Sequence, residues 1–276
     1  MNEQNKTDSI ALPADVPDTS LAVVPHDPWQ AIRRFTPARI ALGRAGNALP
    51  TREVLRFSLA HALARDAVHW QLDLDQLQEE LQHDGFQSVL VHSAVQDRTT
   101  YLLRPDQGRR LGAGGVAALT AADGPGCDLA LVLADGLSAI AVQKHAVPLL
   151  RALRPLLPPD WSLAPVVIAQ QARVALGDEI GQCLRAKMVV MLIGERPGLS
   201  SPDSLGAYLT SEPRVGRMDS ERNCVSNIRP QGLNIEAAAR RIAWLLLQGR
   251  KLGLTGVALK DESGGLPAVR DDTAGN

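Results

Sequence analysis

The run Asp128-Leu-Ala-Leu-Val-Leu-Ala134, ended by Asp135-Gly136, decides the fold. It is short, continuous and apolar, the profile of a strand buried on both faces. Pro165-Val-Val-Ile-Ala169 and Met188-Val-Val-Met-Leu-Ile193 repeat the profile, the second ending in Gly194-Glu-Arg-Pro-Gly198. Helices are expected between them at 143–156 and 178–186. A longer one is expected at 234–252, where Ile235, Ala238, Ile242 and Leu245 recur at helical spacing and Arg250, Lys251 and Gly253 mark the end. Gly256-Val-Ala-Leu259 reads as a closing edge strand. Buried strands alternating with helices imply a mainly parallel sheet with helices on both faces. Residues 124–262 are therefore expected to form an α/β domain, Rossmann-like, with three α/β/α layers.

The first half reads differently. Residues 1–25 are polar and without apolar period, which predicts a disordered tail, and 263–276 a flexible one. Residues 26–123 are expected to be mainly helical. Thr36 before Pro37 and Thr51 both have the character of helix caps, and Leu55, Leu59, Leu63, Ala67 and Trp70 share a helical period. A short helix fits 74–81, β-like runs fit 88–92 and 100–103 around Gln96-Asp97-Arg98, and an alanine-rich helix fits 113–122.

The 276 residues carry 29 Lys+Arg against 30 Asp+Glu, and only 3% are aromatic. A near-neutral chain with few rings offers neither the field nor the stacking surfaces that nucleic acid requires. No apolar run approaches a bilayer span, and no basic, then apolar, leader opens the chain, so a soluble cytoplasmic protein is expected. Cys127, Cys183 and Cys224 are an odd, scattered set that predicts free thiols rather than disulfides or a zinc site. Only five of the 29 cations are lysines, so arginine dominates.

Ligands of a parallel sheet bind beyond the carboxyl ends of its strands. The loops there carry no Gly-rich dinucleotide or phosphate signature and no nucleophile elbow. Asp178 and Glu179 would complement a helix N-terminus and repel phosphate. Glu195 stands out, at the end of an apolar strand and between glycines that would let a ligand approach closely; a structural pairing with Arg196 is the alternative. Cys224 falls in a polar stretch read as a loop, with no paired His. His61 and His69 are eight residues apart, the wrong spacing for two metal ligands on one helix face. These residues supply no self-sufficient catalytic set and no metal site.

Collinear motifs go further. Asp27-Pro-Trp, Arg33-Arg-Phe-Thr-Pro-Ala-Arg39, Tyr101-Leu-Leu-Arg-Pro-Asp-Gln-Gly-Arg-Arg-Leu111, Ala134-Asp-Gly-Leu-Ser138, Arg173-Val-Ala-Leu-Gly-Asp-Glu-Ile-Gly181, Gly194-Glu-Arg-Pro-Gly-Leu199 and Asn223-Cys-Val-Ser-Asn-Ile228 resemble, in order, the small (light) subunit of ethanolamine ammonia-lyase. The resemblance runs from about residue 27 to 262. It implies a helical N-terminal part, a Rossmann-like C-terminal domain, and membership of an adenosylcobalamin-dependent lyase that converts ethanolamine to acetaldehyde and ammonia. It also implies a TIM-barrel large subunit as partner, which binds ethanolamine and carries the radical chemistry, and it adds a bacterial microcompartment as a location. By motif, the family's cobalamin contacts carry over to Val174, Glu195 and Cys224. Base-off binding would need a His two residues after an Asp, which this chain lacks, so base-on binding is expected. Two positions depart from the family pattern: Ala172 stands before the Arg-Val step, and Gln182 follows Ile180-Gly181. A purely structural assembly subunit and a stand-alone enzyme using Glu195 as general base are the rival readings.

Overall fold

The computed structural model describes residues 27–121 and 126–265. The expected tail 1–25 and all but the first three residues of 263–276 lie outside the described residues. The chain divides into two compact units inside its first α-helix, one ending at Leu59 and the other starting at Ala60.

The first unit opens with a 3-10 segment, Pro28–Phe35, whose first turn is capped by Asp27 accepting from the Trp29 amide at 2.9 Å. Thr36 ends that segment instead of starting a helix at Pro37. Helix α1 (Thr51–His69) begins with Thr51 already inside it, the Pro50 carbonyl accepting from the Glu53 and Val54 amides.

The second unit holds one six-stranded sheet: β1 (Ser88–His92), β2 (Cys127–Ala134), β3 (Val166–Gln170), β4 (Ala186–Gly194), β5 (Leu205–Ser211) and β6 (Arg222–Ile228), in spatial order β1-β3-β2-β4-β5-β6. The first four are mutually parallel, and β5 and β6 each run antiparallel to the preceding neighbour. The helices are α2 (Leu74–His83), α3 (Arg98–Leu103), α4 (Gly115–Ala121), α5 (Ala139–Leu153), α6 (Leu176–Cys183) and α7 (Ile235–Leu252). Side-chain alternation along β2 builds two cores. Leu129, Leu131 and Leu133 pack with α2, α5 and α7; Ala130, Val132 and Ala134 pack with α4 and α6. The mainly parallel three-layer α/β architecture is thus as expected.

Two expected strands are not strands. The run 100–103 reads as β-like, but Asp97 accepts from the Thr100 amide and hydroxyl, both at 2.9 Å, and so caps helix α3. Residues Gly256–Ala258 form a 3-10 turn, because Asn223 on β6 holds the Gly256 amide and the Gly256 and Leu259 carbonyls. Conversely, β5 and β6 occupy a stretch that reads as irregular. Gly206 dilutes β5, and the buried residues of β6 are Arg222, Val225 and Ile228, a spacing of three that hides a strand.

At the opposite end of the sheet from the candidate site, Asp128 ties four segments together. It accepts from Lys187 Nζ at 2.8 Å, Arg250 at 3.0 Å, and the Ser162 hydroxyl and amide at 2.8 and 3.0 Å. The Lys187 ammonium and the Ser162 donors hold its carboxyl well below the usual range. Such a group stabilises the fold above its unfolded value and loses that contribution as pH falls. Asp128→Asn should therefore cost about 1 kcal/mol near neutrality, the half-exposed cations limiting the effect. In urea titrations the gap to the parent should be full above about pH 5 and shrink below about pH 4; a gap independent of pH would contradict the assignment.

Candidate functional site

Three loops leave the carboxyl ends of β2, β3 and β4 side by side, and their backbones are interlocked. Buried Asp135 accepts from the amides of Gly136 (2.8 Å), Gln171 (2.9 Å) and Ala172 (3.2 Å), with Arg98 at 3.9 Å. Burial pushes its carboxyl upward while these donors pull the other way. The Leu137 amide donates to the Gly194 carbonyl at 2.9 Å. A Cβ on Gly194 would come within 2.6 Å of the Asp135 carbonyl oxygen and closer still to that of Ser138. The glycine before Glu195 therefore makes room for the neighbouring turn, not for a ligand.

The β3 loop is fixed through Tyr101 of α3. The guanidiniums of Arg98 and Arg173 lie over its ring, 4.6 and 4.1 Å from the centroid, and its hydroxyl donates to the Ala172 carbonyl at 3.0 Å. Burial pushes this phenol up to about 12. Arg173 in turn donates to the Tyr101 carbonyl at 2.9 Å. Val174 follows directly, with α6 starting two residues later.

Glu195 is held by its surroundings rather than by Arg196. Its amide donates to the Ser204 carbonyl at 2.9 Å, and its Oε2 accepts from the Ser204 hydroxyl at 2.5 Å and the Asn227 amide at 3.3 Å. Gly206 on β5 leaves the space: a Cβ there would sit 2.8 Å from Oε1. Among the described residues no ion pair joins Glu195 to Arg196.

Cys224 is not in a loop but on β6, directly opposite Tyr208 on β5. The two side chains are hydrogen-bonded; partial burial pushes the thiol up, and burial with the adjacent thiol pushes the Tyr208 hydroxyl up. A raised thiol carries less of the thiolate form that attacks electrophiles. Helix α6 packs on β4, and beyond it the same face of β5 and β6 has no helix layered on it among the described residues.

Two adjoining cavities follow this face. One, of about 550 Å³, is lined among others by Arg109, Val174, Asp219 and Cys224. The other, of about 420 Å³, is lined by Tyr101, Leu137, Glu195 and Arg196, and both share Arg173, Val174 and Tyr208. Val174, Glu195 and Cys224, from three separate motifs, thus border one continuous surface. The elements behind it, Tyr101, Ser204 and Tyr208, were not singled out from the sequence. Asp178 and Glu179 serve neighbours and not the helix end alone: Asp178 pairs with Arg222, and Glu179 accepts from the Leu111 amide at 2.9 Å.

The family model described as ethanolamine ammonia-lyase light chain (EutC) matches residues 26–260. The chain belongs to this light-chain family. The ethanolamine ammonia-lyase small subunit of Azotobacter vinelandii is 54% identical over 255 residues, which is 91% of this chain and 93% of that protein. The small subunit of Xanthomonas campestris pv. campestris is 54% identical over 254 residues with the same coverage, and that of Ralstonia nicotianae 52% over 251 residues, 90% and 93% of the two chains. A small subunit by name implies a large one. In this light chain no group of three His, Cys, Asp or Glu is placed to hold a metal among the described residues, and no described helix is long and apolar enough to cross a membrane.

Proposed function

We propose that this light chain forms one wall of the cobalamin site of an adenosylcobalamin-dependent ethanolamine ammonia-lyase, at the interface with a large subunit that binds ethanolamine and converts it to acetaldehyde and ammonia. The observation that carries the reading is the convergence of Val174, Glu195 and Cys224 on one surface along a helix-free face of the sheet. The residues suit an amide-fringed corrin. Val174 offers an apolar contact. Glu195 has about four lone-pair positions, of which Ser204 and Asn227 use two, so acceptor capacity remains for a side-chain amide of the ring. Cys224, protonated beside Tyr208, packs without reacting. Val174, Glu195 and Cys224 would hold the cofactor, which would supply the radical initiation. A partner is supported by the relatives, which are named small subunits.

Purified alone, the chain should release no ammonia from ethanolamine. Mixed with its large partner it should restore activity that depends on added adenosylcobalamin. In the assembled complex Glu195→Ala should weaken cobalamin binding by roughly 5- to 30-fold, the loss of a hydrogen bond to a charged acceptor. Full activity of the large subunit without this chain, or turnover by this chain alone, would overturn the proposal. Unchanged cobalamin affinity in Glu195→Ala would leave the chain a structural assembly subunit.

A further inference from the structure

We infer that Arg109 and Arg173 form an anion subsite that takes the phosphodiester of the corrinoid's nucleotide loop. This rests on the cofactor reading above and adds two residues and a chemical class to it. The chain as a whole has a formal charge of −1, yet the cavity beside Cys224 is lined by Arg109, Arg173, Arg217 and Arg222 with Asp219 as its only carboxylate. Two of the four cations are neutralised. Arg217 pairs with Glu221 at 2.5 Å and Glu212 at 3.4 Å, and Arg222 pairs with Asp178 at 2.5 Å and Asp219 at 3.4 Å.

The other two are not. Arg109 makes no side-chain hydrogen bond, ion pair or ring contact among the described residues, although Arg173 lines the same cavity. Arg173 donates to one carbonyl and lies on the Tyr101 ring, and its buried Nε meets no acceptor. Arg196 is also without an ion pair, but it shares its cavity with the Glu195 carboxylate. Neither guanidinium has a carboxylate of its own, since the one that lines the cavity, Asp219, pairs with Arg222, and the guanidinium fork matches a phosphate oxygen pair. The amides around a corrin ring are neutral, whereas the loop that carries its lower base contains one phosphodiester. That group is the anion the cavity beside Val174 and Cys224 can recognise.

The test titrates the complex of this chain and its large subunit with adenosylcobalamin and with adenosylcobinamide, which lacks the phosphodiester and the base, following the absorbance of the bound corrinoid. Arg109→Ala, at an exposed position, should weaken adenosylcobalamin binding about 10- to 100-fold and change adenosylcobinamide binding less than about twofold, with Arg109→Lys between parent and Ala. Arg173→Ala also removes the bond to the Tyr101 carbonyl, so it should weaken both corrinoids, and adenosylcobalamin the more. Equal weakening for both corrinoids would overturn the inference, because Arg109 would then act on general shape. No effect of Arg109→Ala while Glu195→Ala weakens both corrinoids would also overturn it, leaving the cofactor reading intact; no effect of either substitution would remove both. Binding of inorganic phosphate to the complex, lost in Arg109→Ala without any change for adenosylcobalamin, would assign the subsite to a free anion and overturn it as well.

Discussion

Asp178→Ala is expected to lower the free energy of unfolding by about 3–5 kcal/mol, and Arg222→Ala by a similar amount. The pair spans α6 and β6 with both side chains only 3% exposed. Removing one partner leaves the other, only 3% exposed, without its short-range counter-ion, which costs far more than the pair itself contributes. Arg222 would lose Asp178 while keeping the Arg217 carbonyl at 2.7 Å, Thr210 at 3.4 Å and, at 3.4 Å, the Asp219 carboxylate, which is 95% exposed and screened by water, too little to balance a buried guanidinium. Replacing both, Asp178→Leu with Arg222→Met, should recover much of the loss, because an apolar pair of similar volume imposes no desolvation. Urea unfolding followed by circular dichroism separates the outcomes, and single substitutions costing under about 1 kcal/mol would show that the charges are solvated. The effect should reach the proposed cofactor surface, since Val174 stands two residues before α6 and Cys224 two residues after Arg222.

Gly194→Ala should be nearly as damaging, at about 3 kcal/mol or more. The atoms its methyl group would meet are the Asp135 and Ser138 carbonyl oxygens, backbone groups that cannot rotate away. Ser138 also donates to the Pro202 carbonyl at 2.7 Å, so relieving the overlap moves the segment that ends at Ser204 and, with it, the carboxylate of Glu195. Gly216→Ala is the control. Its φ of +98° makes a side chain strained, but nothing lies within 4 Å of the added carbon, so a cost of about 1–2 kcal/mol is expected. Thermal unfolding should rank the two, and only Gly194→Ala should also weaken corrinoid binding in the assembled complex. Equal effects would mean that conformational strain alone decides both.

The parallel half of the sheet was legible because β2, β3 and β4 are buried on both faces and must be apolar throughout. The antiparallel half was not. β6 opens with Arg222, whose burial is possible only because Asp178 waits 44 positions earlier, and a charged residue of that kind carries no strand signal. The run 100–103 departs in the opposite direction, reading as a strand where the Asp97 cap imposes a helix. At the candidate site, Val174, Glu195 and Cys224 were named by motif resemblance, and the residues packed around them come from other parts of the chain. Gly206, Ser204 and Tyr208 acquire meaning only once β5 lies between β4 and β6.

In a doubly wound sheet each added parallel strand arrives by a crossover helix, and that helix roofs the new strip of sheet. β5 and β6 extend the sheet by reversing direction, with no α-helix in either connection, while α7 covers only their other side. The result is a shelf whose existence depends on chain routing and not on any carved side chain. Its floor positions, Tyr208 and Cys224, can therefore change size or chemistry without a helix having to move, which leaves the ligand preference of this surface free to vary while the scaffold stays the same.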